Sequence, residues 1–90
     1  MQIGTRQWTI NAADLPTGVF YKPNIRVKEI EFSGYAADTD TFEILDRDGT
    51  LVWSGNGKAD LSPVRSGDVG WVNGMEISDL TAGTIFVFIA

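Results

Sequence analysis

Apolar residues in this chain recur at every second position, and ten glycines and three prolines interrupt the rest. No stretch carries the i, i+3, i+4, i+7 apolar pattern of a helix for three turns. A period of two places alternate side chains on opposite faces of a strand. Trp8 and Ile10 share one face and Gln7 and Thr9 the other. Ile25 pairs in phase with Val27, and Ile30 with Phe32. The step from Val27 to Ile30 is three, which a strict strand would not keep on one face. Either a bulge near Lys28-Glu29 restores the register, or both faces of this strand are partly buried.

The middle of the chain predicts a hairpin. Phe42 and Ile44 alternate with Thr41, Glu43 and Leu45, then come Asp46-Arg47-Asp48-Gly49 and the run Leu51-Val52-Trp53. Asp-Gly between two β-rich runs marks a tight turn, because glycine takes positive φ without steric cost. The expected strands are Thr41–Leu45 and Thr50–Ser54. Residues 58–68 read as a loop or weak edge strand. Val69, Trp71 and Val72 form a short strand, and Asn73-Gly74 is expected to turn the chain into a strand at Met75 and Ile77. Asp79 to Gly83 turns it again, into a last strand from Ile85 to Ile89. Short strands between turn signals predict an all-β fold, a small antiparallel β-sandwich of jelly-roll or Greek-key type, as a single domain. Pro16, Gly18 and Pro23 set off the first quarter. Residues 1–24 are therefore expected to form an arm or edge strand, and residues 25–90 the β-sandwich domain.

Composition narrows the chemistry. With 90 residues, one modest core is possible. The sequence has no Cys and no His, so disulfides, thiolate sites, His bases and the commonest transition-metal ligands are excluded. A net charge of −5 opposes nucleic-acid binding, which needs a basic footprint. The longest apolar run, Ile85 to Ala90, is far below the roughly 20 residues that span a bilayer. No signal-peptide pattern opens the sequence, so synthesis in a cytoplasm is expected, with no membrane partner.

Asp46-x-Asp48-Gly49 and Asp38-x-Asp40 look like halves of calcium loops. Counting from Asp46, however, Leu51 stands at the sixth position and Gly57 at the twelfth, where the pattern needs Gly and Glu. Turn aspartates bonding their own backbone account for them, and no metal or cofactor is expected. The carboxylates fall mostly in turns or on outward strand positions such as Glu29, Glu31 and Glu43, where ordinary pKa values suit general acids poorly. A non-enzymatic chain is expected. Trp53 is in phase with Leu51 and Trp71 with Val69, which predicts core positions for both tryptophans. Trp8 and Tyr35 are freer to bind a partner. On the last strand Ile85, Val87 and Ile89 would face the core and leave Phe86 and Phe88 facing outward. There a loop of the same chain covers them, or they form an interface. Trp8, Tyr35, Phe86 and Phe88 are thus the candidate partner-binding residues.

Longer runs carry a resemblance. These are Val27-Lys28-Glu29-Ile30-Glu31-Phe32-Ser33-Gly34, Ala37-Asp38-Thr39-Asp40-Thr41, Asp46 to Trp53, Trp71-Val72-Asn73-Gly74-Met75, and Leu80 to Ala90. Their order is similar to small β-sandwich proteins encoded beside the capsid genes of tailed bacteriophages. That resemblance covers residues 25–90 and brings no catalytic residues. It implies a virion structural protein, capsid decoration or cement on the outer head shell. The implied partner is the major capsid protein or another virion protein, and a homo-oligomer is expected. A carbohydrate-binding β-sandwich module, or a tail or head-fibre component, is the alternative.

Overall fold

The computed structural model describes residues 1–90 as one eight-stranded antiparallel sheet. Its strands are β1 (Gln2–Ile3), β2 (Gln7–Asn11), β3 (Val19–Ser33), β4 (Thr41–Leu45), β5 (Leu51–Asn56), β6 (Val64–Arg65), β7 (Gly70–Leu80) and β8 (Thr84–Ile89). A single 3-10 turn, Ala12–Asp14, follows β2. The strand order is β1-β2-β8-β3-β7-β4-β5, with β6 beside β3. The all-β expectation holds.

The 15-residue β3 organises the sheet. Its first half pairs with β7 and its second half with β8, and Val27 sits between Gly70 on one side and Ile89 on the other. The register shifts between Val27 and Glu29, so Lys28 is the extra residue of a bulge and Val27, Ile30 and Phe32 all turn inward. Pro23 is tolerated because it lies in a second irregularity, between Tyr21 and Asn24, where a missing N–H breaks no regular ladder. The boundary expected between residues 24 and 25 falls inside β3, so the chain is not divided there. Its first quarter supplies Trp8 and Ile10 to the same core as the rest.

Two rows of buried side chains cross the sheet. Trp8, Val87 and Ile30 are cross-strand neighbours, as are Ile10, Ile85 and Phe32. Each large apolar side chain buried this way contributes about 1.5–3 kcal/mol over exposure. The Trp8 ring also packs 4.5 Å from the Tyr21 ring, and Phe32 packs 4.7 Å from Phe42. Neither pair sits on neighbouring strands, so the sheet curls over its own inner face and encloses one core.

Three local departures reset the alternation. Gly70, at φ 93°, breaks it between Val69 and Trp71. Val72 is buried and Trp71 is 73% exposed, which overturns the core position expected for Trp71. A bulge at Val52 puts Leu51 opposite Leu45 and Trp53 opposite Ile44, so Leu51 and Trp53 face opposite ways. Trp53 packs 4.4 Å from Phe42, half-buried, while Leu51 is 56% exposed. Asn73-Gly74 does not turn the chain. Gly74 takes φ 74° within β7, where a Cβ would stand 2.6 Å from the Tyr21 carbonyl oxygen.

Candidate partner-binding surfaces

The four residues singled out by sequence do not come together. Trp8 is 1% exposed, and its Nε1 donates to the Gly4 carbonyl at 3.2 Å. It is a core residue, because its face of β2 is the face that β8 continues with Val87. Tyr35 is 4% exposed and stacks on Phe32 at 4.7 Å. Its hydroxyl accepts from the Lys58 N–H at 2.8 Å and donates to the Ser62 carbonyl, fastening the 58–62 loop to the sheet. Neither ring is available to stack on a sugar or dock a partner.

Phe86 and Phe88 do lie on the outer face, but half-buried. Phe88 stands between Gln7 and Glu29, and Phe86 between Thr9 and Glu31. Arg65 is opposite Glu31 and pairs with its carboxylate at 3.0 Å. Both rings are thus flanked across the strands by polar residues. Lys28, Glu29, Arg65 and Phe88 leave a recess of about 180 Å³.

The most exposed aromatic is one the sequence assigned to the core. Trp71 and Leu51 flank a cleft of about 250 Å³, lined also by Val52, Val69 and Val72, with Asp46 at its margin. Tryptophan is the residue type most enriched among interface anchors, and here it is exposed beside other apolar residues. Only the effect of Gly70 on the alternation could have revealed it in sequence.

A wider groove of about 900 Å³ crosses the outer face of β4 and β5. Its lining is polar: Asp38, Thr41, Glu43, Ser54, Asn56 and Asp79 among others. The Thr41 hydroxyl donates to Asp79 at 2.6 Å and the Ser78 hydroxyl to Glu43 at 2.6 Å, so these carboxylates are engaged internally. No exposed aromatic faces it, which leaves a sugar ring nothing to stack on.

The turn aspartates act on backbone. Asp46 Oδ1 accepts from the Asp48 and Thr50 N–H groups at 2.9 Å each, and Asp40 Oδ2 from Ala36 and Ala37 at 2.9 Å each. The Ala37 and Ala36 bonds hold the Asp40 carboxyl below its ordinary range. The Ser62 hydroxyl lowers Asp60, and the Met1 ammonium lowers Asp14. These carboxyls are moved away from general-acid duty, which requires the neutral form near neutral pH.

No family model, no curated protein and no solved structure matches the chain.

Proposed function

We propose that the chain is a non-catalytic structural protein of a tailed-phage virion, attached to the outer head shell through the apolar cleft at Trp71. The observation that carries this reading is the 73% exposure of Trp71 beside Leu51 on a hydrogen-bonded sheet. Interface energy concentrates in a few anchors, and tryptophan is the most enriched of them. An anchor on a rigid strand loses little conformational freedom on docking.

Other features support the same reading. The resemblance in residues 25–90 implies virion location, with the major capsid protein or another virion protein as partner. A net charge of −5 disfavours adhesion to packaged nucleic acid. A decorating protein is present in many copies, so modest single contacts gain by multivalency wherever copies also associate with each other. Phe86 and Phe88 are the surface for that self-association.

Quantitative mass spectrometry of purified virions tests the reading. A fixed copy ratio to the major shell protein is expected. Absence of the chain from particles that are otherwise complete contradicts it.

A further inference from the structure

The backbone around Trp71 has an open edge. Arg26 and Trp71 are directly opposite on β3 and β7. The Arg26 carbonyl accepts from the Ala90 N–H at 3.0 Å, on the side of β3 away from β7. The Asn73 carbonyl accepts from the Arg47 N–H at 2.9 Å, on the side of β7 away from β3. Residues two apart in a strand direct their backbone groups to the same side. Both bonds therefore make Arg26–Trp71 a non-hydrogen-bonded pair and turn the Trp71 N–H and C=O away from β3. No strand meets them there. β4 pairs with β7 only from Glu76 to Leu80, then turns away at Asp46. Beyond Arg47 the strand position beside Val72, Trp71 and Gly70 is vacant, and the cleft of about 250 Å³ occupies it.

Resting on the reading of Trp71 as a docking anchor, we propose that an extended segment of a partner protein adds to β7 at this edge as a strand in line with β4. Main-chain bonds to Trp71 fix its direction and register, while an apolar side chain enters between Trp71 and Leu51. Charge selects the partner. Asp46 is the one charged residue that lines the cleft. Arg26 lies beside Trp71 on β3, and the Arg47 guanidinium is turned away to the Lys22 carbonyl and Asn24 Oδ1 at 2.8 and 3.0 Å. At this edge a second copy would bring another Asp46 and gain nothing from charge, whereas a segment carrying Lys or Arg is attracted by Asp46 and by the net charge of −5. The occupant is an extended basic-apolar segment of a different protein.

Selection from a random linear dodecapeptide library on the purified full chain tests this. Enriched peptides should carry Lys or Arg among alternating apolar residues. They should bind at least 10-fold more weakly to Trp71→Ala, whose side chain supports no core. N-methylation of alternate peptide amides should cost at least 10-fold in one register and little in the other, and binding should shift the Trp71 amide resonance. The proposal falls if nothing is enriched, if enriched peptides are acidic, or if N-methylation in both registers is harmless. It falls equally if light scattering shows the chain dimerising through this edge. The selection uses no particles. A chain absent from virions that still takes such a peptide loses the virion reading and keeps this one.

Discussion

The ring of Tyr35 lies against the bare backbone of Gly57. A Cβ on Gly57 would stand 2.6 Å from Tyr35 Cδ2 and 2.8 Å from the Ala37 carbonyl oxygen. Gly57 also donates its N–H to the Asp40 carbonyl at 2.9 Å. Glycine is needed here for close approach, so Gly57→Ala forces the ring or the loop to move, at about 1–3 kcal/mol. Tyr35→Phe keeps the ring but strands the Lys58 N–H and Ser62 carbonyl, at a similar cost of about 1–3 kcal/mol. Urea denaturation of both variants measures the loss. An unchanged midpoint in either would show that the loop is not fastened through this contact.

Phe86 and Phe88 supply a second expectation. Phe86→Ser with Phe88→Ser should leave the fold intact, because both rings are only half-buried on the outer face. The loss of burial is about 1 kcal/mol per ring. Self-association, read by light scattering, should weaken at least several-fold. Unaltered association in the folded double variant removes these rings from the interface.

Much of this architecture was legible in the alternation itself. The Thr41–Leu45 strand, its Asp-Gly turn and the last strand stand where the pattern put them, with β5 starting one residue later. The three-residue step from Val27 to Ile30 did mark a bulge. What stayed hidden depends on partners distant in sequence. Asn73-Gly74 has the composition of a hairpin turn, yet strand pairing holds β7 straight through it and uses Gly74 as an irregularity opposite Tyr21. Counting in twos places Trp71 and Leu51 on the inner face, and single residues at Gly70 and Val52 invert the count. Trp8 read as free because its neighbours looked like an arm; β2 lies between β1 and β8 with Trp8 opposite Val87.

Acid should expose the role of the turn aspartates. Asp14, Asp40 and Asp60 have folded-state pKa values lowered from 3.8. A lowered folded value means the carboxylate stabilises the fold above the unfolded pKa and loses that contribution as pH falls through the folded one. The melting temperature should therefore hold between pH 7 and about 5, and decline below about 4. Asp40→Ala, which frees the Ala36 and Ala37 N–H groups, should flatten that decline and lower the plateau. A decline starting near pH 6 would point to another group.

The two chain ends should respond differently to deletion. β8 lies between β2 and β3, and Ile85 and Val87 are fully buried. Their loss costs about 2–5 kcal/mol each, against a total stability of about 5–15 kcal/mol, and the ladders on both sides go with them. Deletion of residues 85–90 should abolish folding. Deletion of residues 1–7 removes β1 and one residue of β2 but leaves Trp8 and Ile10 in place. That variant should fold, with a lower melting temperature. Circular dichroism separates the cases, and a folded C-terminal deletion would mean that β8 is dispensable.

The most direct test of the account is the affinity of labelled chain for purified particles lacking it, measured for the native chain and for Trp71→Ala. Thermal melting first establishes that the variant is folded, as expected for a side chain that is 73% exposed. An anchor worth about 2–4 kcal/mol predicts a loss of affinity of roughly 30-fold or more. Equal affinities for the two folded chains would contradict the assignment of Trp71 as the docking anchor.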